Sequence, residues 1–486
     1  MNTKHIAWPV LCVTVLMATT MMPALALTSR GDEPFRVVRH TLPNGLRVWL
    51  QSRSDSSSVT ALLVIRAGAR YEQVANNGVS HFVEHVVFAG TERWSEEEIK
   101  DAITRRGGRW NGWTDTETTT YFAQVSAQDF DVALDWLAQV VFHPTFPADK
   151  VENERRIIFQ ERWGRYGWII NTLDSLGFGY ELDRDVRRAL FPGSTLGLRI
   201  VGEDESLEKL DRATLMSYYE TRYTPENAVL ILVGNFVPDQ ALDKATQYFG
   251  DVARKSRPPS PEATTLSDDG PYQVTVRGPM PTDQTRLMLG AQTVGRMHPD
   301  RWALDVLAEV LNQDLMREIR YRQGLVYGLG AYNIVFDDVG YFVISTTSAS
   351  KNRTKIQATI EAYLDRISRS EVDPARVAEA KAALKGHWAL SMEDNVQRAG
   401  WLAEWAQMLD DDAPIPDYTE VIEAVTPADL ARVVKTYFAP QHRYVGLHQP
   451  VLTVTSGATL IGATIGLGMV AWIGRKLWRR RRQPKA

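Results

Sequence analysis

Cysteine is almost absent from this 486-residue chain: Cys12 is the only one. A single thiol precludes any disulfide within the chain. The fold must stand on its core alone, which suits an oxidising compartment without depending on it. A lipid attachment at Cys12 is poorly supported, because Pro9-Val10-Leu11 is an unfavourable approach to such a site. A surplus of positive charge is also missing. The formal charge is −4, and seven basic residues lie in the tail after Gly474 with no acidic one. Without that tail and the first 26 residues, 47 basic residues face 59 acidic ones, a balance of −12. That excess of negative charge excludes nucleic acid as a partner. Histidine is scarce too, nine in all, so any clustering of it carries weight.

Residues 451–473 contain no charge at all and are followed by Arg475, Lys476 and four arginines at 479–482. Twenty-three such residues are long enough to cross a bilayer as a helix, and the basic cluster marks the cytoplasmic side. Gly462 and Gly466 make a G-x-x-x-G step able to pack two such helices together. At the other end, residues 1–26 have Lys4, an apolar stretch and Ala24-Leu25-Ala26, the form of a cleavable signal peptide. Too little arginine and no amphipathic pattern argue against a mitochondrial leader. The expected topology is a single-pass inner-membrane protein with its body in the periplasm and residues 474–486 as a cytoplasmic tail.

About 420 residues lie between signal and anchor, too many for one core and enough for two domains. Residues 255–271, rich in proline, serine and charge, read as the linker. This gives an N-terminal domain over 33–254 and a C-terminal domain over 272–450. A faint repeat supports the division: Tyr223-Thr-Pro225 precedes an apolar run, and Phe438-Ala-Pro440 precedes a shorter one 215 residues later. Apolar runs at 59–65, 287–289 and 341–346 alternate with amphipathic helices. The expected fold is α+β, two copies of one domain, each a mixed β-sheet covered by helices.

The chemistry concentrates at His81-Phe82-Val83-Glu84-His85, an H-x-x-E-H sequence. On a helix, positions i and i+4 share a face with i+3 beside them, so two imidazoles and a carboxylate converge. Imidazole nitrogens suit zinc with a position left open, and Glu84 is placed to take a proton from water there. Val79, Phe82, Val83, Val86, Val87 and Phe88 give the helix an apolar face, and Gly90 supplies a stop. Two histidines leave the site one ligand short. Residues 151–162 read as a second helix whose Glu154 and Glu161, seven apart, share a face. The flanking Ile157, Ile158 and Phe159 require part of it to be buried.

H-F-V-E-H followed by Glu161, with Glu154 seven residues before it, resembles the pitrilysin/insulinase-type zinc peptidases. The half-length branch that includes the mitochondrial processing peptidase is the nearest in form. Three further stretches agree: residues 85–91; Gly107-Gly108-Arg109-Trp110-Asn111 with Thr114, Thr118 and Tyr121; and residues 320–327. Gly112 stands where that pattern has alanine. The resemblance covers about residues 35–450. It implies one zinc per chain held by His81, His85 and Glu161, with Glu84 as general base and Glu154 orienting a ligand. It further implies that Asn111, on a strand spanning 111–125, contacts a peptide substrate, and that Arg320 and Tyr327 stabilise the oxyanion. Without it, Tyr327 reads as a packing residue. Since the chain is one half of the long form, the expected assembly is a homodimer, or a heterodimer with an inactive homologue. A non-catalytic assembly subunit of the same fold is the alternative, against which the complete set of active-site residues argues.

Overall fold

The computed structural model describes residues 36–163, 181–266, 272–278, 282–369, 372–409 and 412–454, with a few short stretches elsewhere. Residues 1–26, the tail after Arg475 and much of 451–473 lie outside this set. Among the described residues, no helix is long and apolar enough to cross a membrane.

The strands form two sheets. The first contains β1 (Val38–Thr41), β2 (Arg47–Ser52), β3 (Ser58–Ile65), β4 (Arg109–Thr114), β5 (Thr119–Ser126) and β6 (Ala228–Gly234), in the order β1-β2-β6-β3-β5-β4. The second contains β7 (Tyr272–Gly278), β8 (Gln284–Val294), β9 (Val326–Val335), β10 (Val339–Ala349) and β11 (Arg443–Pro450), in the order β7-β11-β8-β10-β9. Apart from β1 the sheets correspond strand for strand. Each has one parallel pair, β2 with β6 and β7 with β11, and each ends in a hairpin whose first strand is the edge. The repeat seen in the sequence is this correspondence: short turns at Pro225–Asn227 and Pro440–His442 open β6 and β11. Residues 255–266 carry no helix or strand and lie between the sheets in sequence.

Strand β6 (AVLILVG) is buried at every position, the pattern of a strand covered on both faces. Side chains alternate across the sheet. Val48, Leu50, Ala61, Leu63, Leu230 and Leu232 face one core. That core includes residues of α1 (Val79–Val86), α2 (Glu96–Thr104), α3 (Phe130–Phe142) and α4 (Ala148–Trp163). Trp49, Leu62, Val64, Val229, Ile231 and Val233 face the other way.

What covers that second face is the unexpected part. α5 (Leu182–Leu190) belongs by sequence to the N-terminal half, yet Leu182, Val186 and Leu190 pack on Met288, Tyr341, Val343 and Tyr444 of the second sheet. The opposite face of that sheet carries α6 (Asp300–Leu315), α7 (Arg353–Ser368) and α8 (Pro427–Tyr437). Conversely α9 (Asn395–Ala406), from the C-terminal half, lays Ala399, Leu402, Ala403, Trp405 and Ala406 on the first sheet. Each half therefore lends a helix to the other, so the two sheets are not independent domains in their packing. A buried ion network ties the same seam. Arg70 pairs with Glu117 at 2.7 Å, Arg296 reaches Glu117 at 3.2 Å and Glu404 at 2.8 Å, and Arg66 pairs with Asp337.

Two local expectations need correction. Residues 111–125 are not one strand but the β4–β5 hairpin, turned at residues 115–118. Ile157 does not contribute to burial: it is 41% exposed, and Val151, Ile158 and the partly buried Phe159 supply the apolar contact of α4.

Candidate metal centre

Helix α1 begins at Gly78, whose φ of +94° is in the left-handed region that favours glycine. A Cβ there would also meet the Gly202 Cα at 2.7 Å. Val79, Phe82, Val83 and Val86 are fully buried against the sheet, which turns His81, Glu84 and His85 away from that core. α4 packs beside α1 and brings in the two acidic residues. Glu161 Oε2 lies 3.8 Å from His81 Nε2 and 3.4 Å from His85 Nε2, and the rings are 4.7 Å apart. Donors around one tetrahedral zinc at ordinary bond lengths stand roughly 3.3 Å from each other. Two imidazole nitrogens and a carboxylate oxygen at this spacing fit that ion. Among the described residues no other group of His, Cys, Asp and Glu converges in this way.

Glu154, one face along the same helix, meets His85 Nδ1 at 3.0 Å, where a carboxylate fixes the ring and its tautomer. Burial lowers the His85 pKa, but Glu154 and the neighbouring carboxylates outweigh it and the net shift is upward. His81, half-buried and next to His85, is pushed down to about 3 by its loss of solvent and then by that neighbour. It is therefore neutral at physiological pH, the form that binds a metal. Glu161 is half exposed, so burial is not what singles it out.

Glu84 is only 8% exposed. Burial raises its carboxyl pKa, opposed by His85 and by the hydrogen bond that Thr114 Oγ1 donates at 2.9 Å. A raised carboxyl beside a candidate metal site matches a general base better than a free surface glutamate does. Thr114 ends β4, the edge strand of the first sheet. Asn111 is exposed on the same strand, paired in register with Phe122. An open strand edge beside the metal helix can take up an extended peptide through main-chain hydrogen bonds.

Arg320 and Tyr327 are not brought to this site. Arg320 sits in the π-helix Met316–Arg322 that continues α6, and Tyr327 lies on β9. The guanidinium is 4.9 Å from the centre of the Tyr327 ring, and Tyr327 is 87% exposed. The packing role that the residue suggests by itself is therefore excluded. Among the described residues, neither forms a hydrogen bond or ion pair with His81, His85 or Glu161. Two residues at the site carried no sequence signal for their roles. One is Thr114, which holds Glu84. The other is Glu72, a buried carboxylate at the start of α1.

The model for the Insulinase family (Peptidase family M16) matches residues 47–164, and the one described as the Peptidase M16 inactive domain matches residues 209–384. An uncharacterized zinc protease of Mycobacterium leprae is 30% identical over 366 residues, covering 74% of this chain and 80% of that protein. The mitochondrial-processing peptidase subunit beta of Homo sapiens is 25% identical, with 82% and 81% covered. Among solved structures, a protease from Helicobacter pylori superposes with a TM-score of 0.76 at 20% identity, covering 85% of this chain and 99% of that one.

Proposed function

The chain belongs to the insulinase family, peptidase family M16, and from that premise we propose that it is a zinc endopeptidase acting on peptides or unfolded segments outside the cytoplasm. The convergence of His81 Nε2, His85 Nε2 and Glu161 Oε2 beside a buried Glu84 carries the reading. Zinc held by those three residues supplies Lewis acidity and lowers the pKa of water. Glu84, kept in place by Thr114, accepts the proton of the attacking water and delivers it to the leaving amine. The edge of β4 at Asn111 aligns the substrate backbone. Equilibrium dialysis should find one zinc per chain, and the loaded protein should hydrolyse an unstructured peptide. Zinc without hydrolysis would favour the non-catalytic assembly subunit.

Arg320 and Tyr327 complete the site from a second copy in this proposal. They lie on the far half of the chain, Arg320 half-buried and Tyr327 exposed. A two-fold dimer would bring each pair to the other copy's metal site, where the two side chains would supply donors to the oxyanion. A heterodimer with an inactive homologue would do the same for one site.

The body stands outside the cytoplasm, anchored by residues 451–473, a placement supported by the uncharged run and the arginines after it. Removing residues 451–486 should release active protein from the membrane fraction. Retention in the membrane would overturn the assignment of the anchor.

A further inference from the structure

The two histidines are held in different ways. His85 has the Glu154 carboxylate on its Nδ1. His81 Nδ1 is buried and has no hydrogen-bond partner among the described residues. A metal-binding imidazole ordinarily has its second nitrogen fixed by a carboxylate, a carbonyl or water. His81 has no such side-chain restraint, so its direction is set by the backbone that carries it.

That backbone is pinned by Glu72. Its Oε2 accepts from the Gly78 amide at 2.8 Å and from Asn77 Nδ2 at 2.7 Å, and its Oε1 accepts from the Ser80 amide at 2.9 Å. Ser80 immediately precedes His81. The amides at the start of a helix have no partner within it, and the positive end of the helix dipole favours an anion there. Glu72 is almost completely buried, and no cation lies within ion-pair distance of it among the described residues. Among the described residues, its carboxylate hydrogen bonds run only to Asn77, Gly78 and Ser80. Asn77 links the anchor to the body of the protein by donating to the Arg199 carbonyl at 2.7 Å.

We infer that Glu72 is the positioning residue for His81, doing through the backbone what Glu154 does for His85 through the imidazole. This rests on the reading of His81 as a zinc ligand. The test uses the full chain with Glu72→Gln, Glu154→Gln and the double substitution. Zinc affinity is read by competition with a chromophoric chelator, coordination by the visible bands of the cobalt-substituted protein, and folding by circular dichroism. Glu72→Gln should lower zinc affinity about tenfold or more, the range for lost outer partners of a ligand, and alter the cobalt bands while circular dichroism is unchanged. Because both histidines serve one zinc site, the double variant should bind more weakly than either single variant. If Glu72→Gln does not fold, Glu72→Asp keeps the carboxyl but draws it back by one methylene. It should lower affinity in the same direction by a smaller factor. A folded variant with the parent's affinity and cobalt spectrum overturns the inference alone. A parent chain that binds no zinc overturns the metal reading, and this inference with it.

Discussion

Helices α1 and α6 occupy corresponding places in the two halves, each following a central strand (β3 or β8) and preceding the edge strand (β4 or β9). Their polar residues meet different partners. In the second half, Asn312 of α6 exchanges two hydrogen bonds with the main chain of Ala331 on β9, at 3.0 and 2.6 Å, and Asp305 accepts from Asn333 at 2.9 Å. The seam between helix and edge strand is thereby filled. In the first half, among the described residues, hydrogen bonding across the corresponding seam is confined to Thr114 and Glu84. His81 and His85 turn instead toward Glu161 on α4. One scaffold thus yields a closed seam or an open, chemically competent one, depending on whether the helix's polar atoms are spent on the edge strand.

The largest test of this contrast is Glu84→Gln. The amide keeps the Thr114 contact but cannot take a proton, so hydrolysis should fall by about 10² to 10⁴-fold while zinc occupancy is unchanged. A substitution in the filled seam, Asn312→Ala, should leave zinc and the rate per folded molecule alone. Loss of zinc from a folded Glu84→Gln protein would reassign Glu84 as a ligand.

Next in size is the contribution of the second half to the first. Tyr327→Phe should cost about 10²-fold in kcat, as removal of one oxyanion donor does. Mixing Tyr327→Phe with Glu84→Gln then separates the two assemblies. In a mixed dimer acting in trans, one site regains both an intact Glu84 and an intact Tyr327, and activity returns on subunit exchange. No recovery in demonstrated mixed dimers would mean that each chain completes its own site, or that Tyr327 plays no part.

Much of the contrast is already present in the sequence. H-x-x-E-H with its apolar neighbours implies a helix presenting three functional groups, and α1 carries them. The seven-residue spacing of Glu154 and Glu161 places both toward α1, because both lie on one face of α4. Other features are not readable there. The apolar stripes at 182–190 and 395–406 imply burial but do not say against which sheet, so the exchange of helices is invisible. The β4–β5 turn contains no glycine or proline; its Asp115 accepts from the Thr116 amide, and alternation alone runs through it as one strand. Glu72 gives no cue, since a lone glutamate before a helix is ordinarily solvated. Its role exists only once the chain returns it to Gly78 and Ser80.

The exchange of helices predicts a joint loss of stability. Arg296 stands between Glu117 from the first half and Glu404 on α9. Arg296→Ala leaves carboxylates buried together without their shared cation, and should destabilise the fold by about 3 kcal/mol. Both halves should melt earlier in calorimetry, because each is covered by the other's helix. An early transition in one half alone would show that the lent helices do not couple the sheets.

The smallest effect distinguishes the filled seam by its response to pH. Burial raises the Asp305 carboxyl to about 6 from an ordinary 3.8; Arg301 and the Asn333 hydrogen bond oppose the shift, and Glu404 adds to it. The folded chain therefore holds this proton more tightly than the unfolded chain does. The stability it contributes is complete below about pH 4 and is lost as the pH rises through 6. Asp305→Asn removes the titration and keeps an oxygen for Asn333 to donate to. Between pH 4 and 7.5 the parent should lose roughly 2 kcal/mol more stability than the variant, a few degrees in Tm. Parallel curves for the two proteins would place the Asp305 proton on water rather than in the seam. The second half would then also have an open polar position beside its edge strand, and the contrast with α1 would narrow to the metal ligands alone.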